Sequence, residues 1–141
     1  MRLIASLPLT LIPLIIYNLV TFAGSSGDAA ATWSGVAWTV SMVSGANFSL
    51  LLSDILITGA LLLLFAEILK ATRIGTAALI DHIFSMLVFI AYLVEFLIVQ
   101  SAATSLFFIL MVISTIDVIA GFSITIAGAR RDVAFDRDGT Y

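Results

Sequence analysis

Three acidic residues lie inside long apolar segments of the chain, where side chains able to exchange a proton are unusual. Asp54, Glu95 and Asp117 each have only uncharged neighbours for several positions on both sides. Ionisable groups are costly in a bilayer, so residues of this type mark candidate functional sites. The same apolar segments carry further polar candidates, namely Tyr17, Asn18 and Tyr92.

These acids admit three interpretations, and the sequence leaves all of them open. A carboxyl group in apolar surroundings can stay neutral and donate a hydrogen bond to a nearby hydroxyl or carbonyl, which is a structural role. The acids could instead bind protons or cations on a transport path, because no Lys or Arg accompanies them in their segments. In the third interpretation, each acid pairs with a basic residue of a partner subunit.

A second group of charged residues surrounds the short connection between the second and third apolar segments. Its members are Glu67, Lys70, Arg73, Asp81 and His82. Glu67 and Lys70 are three positions apart, a spacing that brings side chains together on one helix, and Asp81 or His82 could meet them across the connection. We interpret the group as an interfacial ion-pair network, because charged side chains at helix ends extend readily towards water.

Metal, cofactor and catalytic patterns are not found in the sequence. His82 is the only histidine and there is no cysteine, so a haem held by two histidines would need a second one from another subunit. No group of acids and histidine has the spacing of a zinc site, and neither a glycine-rich phosphate loop nor a Gly-x-Ser-x-Gly turn occurs. We therefore expect no metal, no cofactor and no enzymatic activity.

The composition is that of a membrane protein. Of the 141 residues, 62% are hydrophobic and 11% are charged, and the mean hydropathy is +1.21, values typical of chains that cross a bilayer several times. The formal net charge is −3 and there is no long basic run. Binding to nucleic acid is not expected, because phosphate contacts need clustered Lys and Arg.

Four apolar runs are long enough to cross a hydrocarbon core of about 30 Å, which takes about 20 helical residues. The predicted spans are residues 3–23, 47–69, 76–99 and 104–128. The predicted fold is an all-α integral membrane protein, with an antiparallel four-helix transmembrane bundle in residues 1–129 and a polar tail in residues 130–141.

The first run has two special features. Pro8 and Pro13 predict a kink whose freed carbonyl groups need partners from neighbouring helices. Because Arg2 precedes this run and small residues follow it, a signal peptide is the alternative interpretation.

Residues 29–44, between the first two spans, predict a short amphipathic helix in the membrane interface. Asp28 is a suitable N-cap and Gly45 a suitable stop. Apolar residues recur at intervals of three and four, and we expect Trp33 and Trp38 to act as interfacial anchors, because indole rings prefer that zone. The helix would be a lid over the bundle or, alternatively, part of a binding loop.

The positive charges predict the orientation. Under a four-span topology the cations at span ends all fall on one side, namely Arg2, Lys70, Arg73, Arg130 and Arg131, whereas residues 24–46 and 100–103 contain no Lys or Arg. Lys and Arg are retained on the cytoplasmic side, so both termini should be cytoplasmic. A bacterial inner membrane is the expected location.

The function expected from these features is an interaction role. No segment outside the spans is long enough for a soluble domain, so the available surface is the exterior of the helices. We expect a small accessory or structural subunit of a larger membrane complex, in contact with the lipid bilayer and with a larger membrane protein or further copies of itself. The alternative is an oligomeric channel or a proton- or cation-coupled transporter that uses the intramembrane acids.

Overall fold

The computed structural model describes residues 7–23, 28–72 and 76–138, which are mostly helical. Arg2, Arg73 and the beginning of the predicted first span therefore lie outside the described residues. In chain order the elements are α1 (Leu11–Ala23), α2 (Ala29–Trp33), β1 (Val36–Ser41), β2 (Asn47–Leu51), α3 (Leu52–Ala71), α4 (Thr76–Ile98) and α5 (Ser105–Asp138), with a 3₁₀ turn (Gln100–Ala102) between α4 and α5.

The described residues include three helical stretches that are long and apolar enough to cross a membrane. They are Leu52–Ala71, Ile80–Ile98 and Ser105–Ile124. These stretches are consistent with an integral membrane protein, because a helix satisfies the hydrogen bonds of its own backbone groups in lipid. Helix α1 is also apolar but has 13 residues, a length of about 20 Å at about 1.5 Å per residue.

The first helix begins later than predicted, at Leu11, and residues 7–10 form turns. The reason is the pair of prolines. In a continuous helix the Leu9 carbonyl would accept from the residue at position 13, but Pro13 has no N–H to donate. That carbonyl accepts from the Ile12 N–H instead, at 3.1 Å. Pro13 then lies in the first turn of α1, where a missing N–H costs little.

The predicted interfacial helix over residues 29–44 is wrong beyond Trp33. Asp28 does cap a helix, because its Oδ1 accepts from the N–H groups of Ala30 and Ala31 at 2.9 and 3.2 Å. After α2, however, the chain forms an antiparallel β-hairpin over residues 36–51. The apolar residues Trp38 and Val40 also fit the two-residue period of a strand, and β-branched and aromatic side chains favour a pleated surface.

The hairpin has one apolar and one polar face. Trp38 pairs with Leu50 and Val40 with Phe48 on the apolar face. On the polar face, the Thr39 and Ser49 hydroxyls lie 3.0 Å apart, and the Ser41 hydroxyl donates to Asn47 Oδ1 at 3.0 Å. The strand β2 continues directly into α3, so the predicted second span, which was to begin at residue 47, begins as a helix at residue 52.

Helix α5 is central to the packing. It lies against both α3 and α4, and α1 lies against α3 and α5. The buried positions recur with the helical period: Leu56, Ala60, Leu64 and Glu67 on α3, and Leu106, Leu110, Ile113, Ser114 and Asp117 on α5. The backbone of α5 stays helical as far as Asp138, through most of the segment predicted to be a polar tail.

Glycine at position 45 is required by the hairpin loop, and this requirement is testable. Gly45 has φ 81°, a left-handed conformation that costs other residues about 1 kcal/mol. We expect Gly45→Ala to raise the amide hydrogen exchange of β1 and β2 several-fold. The matched control is Gly59→Ala in α3, where an added Cβ meets nothing within 4 Å; there the exchange rates of the hairpin should not change. Equal exchange in both variants would contradict the assigned turn.

Candidate functional site

A polar recess lies between α3, α4 and α5, at the end of these helices away from the hairpin. Seven residues line it, namely Glu67, Ala71, Asp81, His82, Ser85, Asp117 and Gly121. Its free space is sufficient for about one water molecule. Four of the titratable groups that the sequence marked as candidates therefore meet here from three different helices, namely Glu67, Asp81, His82 and Asp117.

Lys70 connects two of the acids of the recess. Its Nζ lies 3.1 Å from Glu67 Oε1 and 3.3 Å from Asp81 Oδ2. Glu67 and Lys70 share α3, whereas Asp81 reaches the ammonium group from α4. Glu67 is only 4% exposed, so this pair is largely removed from solvent, unlike a surface ion pair, whose contribution to stability is small. Of the predicted ion-pair network, Arg73 lies outside the described residues.

The same side chains bind the non-helical backbone before α1. Lys70 Nζ donates to the Leu7 carbonyl at 3.3 Å, and the Leu9 N–H donates to Glu67 Oε2 at 3.1 Å. The Tyr92 hydroxyl donates to the Thr10 carbonyl, also at 3.1 Å. Backbone groups that leave a helix inside an apolar bundle must find such partners. The polar side chains of α3 and α4 therefore bind the non-helical segment that precedes α1.

Asp117 lies in the recess and is 4% exposed. Its Oδ2 accepts a hydrogen bond from Thr10 Oγ1 at 3.1 Å, and the Ser85 hydroxyl is a second hydrogen-bond partner. The structure thus places Asp117 with Glu67 and Asp81, rather than with Asp54 and Glu95 as the sequence-based transport path implied. Its hydrogen-bond partners are hydroxyl groups, whereas the other two acids contact an ammonium group.

His82 packs tightly where α4 meets α5. Its ring stacks on Phe122 with the centroids 5.8 Å apart. A Cβ at Gly121 would overlap the imidazole, so glycine at this position lets the two helices approach. In the part of the chain that the structure describes, no three His, Cys, Asp or Glu residues are grouped so as to hold a metal ion.

An aromatic cluster fills the bundle near the hairpin. The Tyr17 ring stacks on Trp33 at 5.4 Å and meets Phe107 edge-on at 4.8 Å. The Tyr17 hydroxyl donates to the Ser101 carbonyl at 2.7 Å and lies 2.8 Å from Thr104 Oγ1. Trp33, predicted as an interfacial anchor, is only 5% exposed, because it packs inside this cluster.

The remaining predicted residues are dispersed. Asn18 Nδ2 donates to Glu95 Oε2 at 3.1 Å, so these two polar groups of the first and third predicted spans do meet. Asp54 lies in the first turn of α3, where its Oδ2 accepts from the Leu51 N–H at 3.0 Å. This is a helix-capping contact, which also places the negative charge at the favourable end of the helix dipole. Trp38 is 68% exposed on the hairpin.

A packed layer separates the recess from the hairpin end. Tyr92, Phe107 and Leu110 are almost completely buried in this layer. Two further polar residues were not predicted from the sequence: Thr10, which bridges to Asp117, and Ser114, whose buried hydroxyl has no hydrogen-bond partner among the described residues. The position of Thr10 between two prolines was the available signal, because a helix break exposes polar groups at that point.

Comparison of the chain with protein-family models, with curated proteins and with solved structures found no match.

The contact between Glu67 and the interrupted backbone gives a stability prediction. Glu67→Leu removes the acceptor of the Leu9 N–H and one partner of Lys70, so we expect a loss of about 3 kcal/mol, the scale of breaking a buried ion pair. Glu67→Gln keeps an acceptor oxygen and should lose clearly less. Unfolding in mixed micelles with increasing dodecyl sulfate, followed by circular dichroism, measures both. Equal losses would show that the backbone contact contributes nothing.

Proposed function

We propose that the protein is a four-span membrane protein whose helices run alternately in opposite directions, with both termini in the cytoplasm of a bacterium and the hairpin outside its inner membrane. The contacts of α1 and α5 support opposite directions: Tyr17 meets Thr104, whereas the earlier residue Thr10 meets the later residue Asp117. The first crossing would then consist of α1 and the residues before it. The distribution of Lys and Arg supports the orientation.

We propose, further, that this protein is a non-catalytic accessory subunit that binds a larger membrane protein through its hairpin. The observation that carries this proposal is the exposed apolar face formed by Trp38, Val40 and Phe48. Residues 29–53 contain no charged side chain. An uncharged patch that combines aromatic and branched side chains is typical of the centre of a protein interface, where charged residues are depleted.

The marginal stability expected of an isolated hairpin favours a protein partner. An isolated two-stranded hairpin is only marginally stable in water, so a surface that covers its apolar face would stabilise it. The hairpin is also fixed to the bundle: the Gly35 carbonyl accepts from the Leu52 N–H at 3.0 Å, and no linker separates β2 from α3. A partner that binds the hairpin would therefore be held at a defined position against the transmembrane helices.

Site-specific photocrosslinking in native membranes tests the accessory role. A photoreactive residue at Trp38 should form one discrete adduct with a larger membrane protein. At Thr39, the next residue on the polar face, we expect at least several-fold less of this adduct. Adducts with lipid alone, or with a second copy of the chain alone, would contradict the accessory role.

A second candidate function, proton- or cation-coupled transport, is favoured by the recess. Transporters commonly bind ions where a transmembrane helix is interrupted, and the interrupted backbone before α1 contacts Glu67 and Lys70. Asp117 lies beside this break. The packed layer of Tyr92, Phe107 and Leu110 would have to open for transport, so this function needs a second conformation.

Flux measurements in liposomes distinguish this second function. If the protein carries protons or cations, the reconstituted wild type should dissipate an imposed gradient faster than empty liposomes. Asp117→Asn should then return the rate to that of empty liposomes, because an amide cannot bind and release the proton. The control is Asp54→Asn, since Asp54 caps α3 outside the recess. No flux in the wild type, or unchanged flux in Asp117→Asn, would reject transport through this site.

A further inference from the structure

The recess contains more negative than positive groups among the side chains that the structure describes. Helix α3 contributes Glu67 and Lys70, α4 contributes Asp81 and His82, and α5 contributes Asp117. Residues 7–10 and the adjacent part of α1 add no charged side chain. With every carboxyl ionised and a neutral imidazole, three negative charges would face the single ammonium of Lys70.

Such an excess of buried charge is expensive. An unpaired ion inside a protein costs several kcal/mol even after relaxation, roughly the whole stability of a small domain. Among the described side chains, a bound cation or a proton would reduce this excess. A metal ion is the poorer fit, because Lys70 Nζ already occupies the position between Glu67 Oε1 and Asp81 Oδ2.

The contacts of each carboxyl indicate where the proton resides. Glu67 and Asp81 each have the Lys70 ammonium as a partner. Asp117 has hydroxyl groups as hydrogen-bond partners, and these serve a neutral carboxyl as well as an ionised one, because a hydroxyl can both donate and accept. Oδ2 of Asp117 accepts from Thr10, which leaves Oδ1 available to carry a hydrogen atom.

We propose that Asp117 is a proton-binding site, in which Oδ1 holds an exchangeable proton at neutral pH and donates it in a hydrogen bond to Ser85. Binding converts the carboxylate to a carboxylic acid without any other change of bonds, and release reverses it. The proton passes between Asp117 and the recess, so binding requires no path through the layer of Tyr92, Phe107 and Leu110.

Asp81 is a second acid of the recess, and its set of hydrogen bonds among the described residues is incomplete. Asp81 Oδ1 is buried and has no hydrogen-bond partner among the described residues. Asp81 and Asp117 line the same recess, and this recess has room for about one water molecule. Asp81 Oδ1 therefore provides a further hydrogen-bond acceptor in this recess. Because its other oxygen contacts Lys70, which is 21% exposed, Asp81 connects the buried site with the solvent-accessible end of the bundle.

Carboxyl NMR tests the assignment on the intact protein. Aspartate labelled with ¹³C at the side-chain carboxyl is incorporated into the full chain in lipid nanodiscs, and the spectra are followed from acidic to alkaline pH. At neutral pH we expect one aspartate signal at the shift of a carboxylic acid, while exposed aspartates are ionised. Asp117→Asn should remove that signal, and Asp54→Asn should leave it unchanged.

Three results would overturn the proposal. All aspartates could be ionised in the wild type at neutral pH, a result that needs no variant and holds even if Asp117→Asn fails to fold. The signal of the acid form could persist in Asp117→Asn. Finally, the ¹⁵N signals of His82, the only histidine, could show that the proton is bound to the imidazole ring and not to the carboxyl group. None of these results depends on a partner subunit, so the proton site and the accessory role fail separately.

Discussion

The arrangement of the bundle depends on how the backbone before α1 is satisfied. Pro8 and Pro13 prevent a continuous helix, and residues 7–10 form turns in which the Pro8 and Leu9 carbonyls accept from the N–H groups of Leu11 and Ile12. A buried peptide group without a hydrogen bond costs about 1–3 kcal/mol. Glu67, Lys70 and Tyr92 bind further peptide groups of this segment from α3 and α4. These contacts hold the segment before α1 against α3 and α4.

This constraint also explains why polar residues are tolerated in the interior. Glu67 is bound by both the backbone and Lys70, and the Tyr92 hydroxyl has a carbonyl acceptor, so neither carries an uncompensated polar group. Asp117 is the exception that demands a further explanation, because its partners are neutral. A structural role accounts for the first two residues, and the proton that we propose on Asp117 would remove the charge of this third group.

The sequence predicted the elements that have a local sequence pattern, but it did not predict the features that depend on how the helices pack. The apolar runs predicted the long helices α3, α4 and α5, and the prolines predicted an interruption near α1. The hairpin was missed because residues 36–41 have apolar side chains at positions that fit both a helix and a strand. The spacing of Glu67 and Lys70 predicted their proximity. The contact between Asp117 and Thr10 could not be predicted in this way, because it depends on how two helices far apart in sequence are rotated and shifted against each other.

The two ends of the bundle have different chemistry, and this difference bears on what the chain can do. The hairpin end is uncharged from residue 29 to residue 53, and its aromatic rings either pack inside the bundle, as Trp33 does, or stand exposed, as Trp38 does. The opposite end concentrates the buried charges. A partner that covers the hairpin gains apolar contact without desolvating any charge. A proton that binds Asp117 changes the charge of the other end. Because the packed layer lies between the two ends, partner binding at the hairpin and proton binding at Asp117 involve no direct contact with each other.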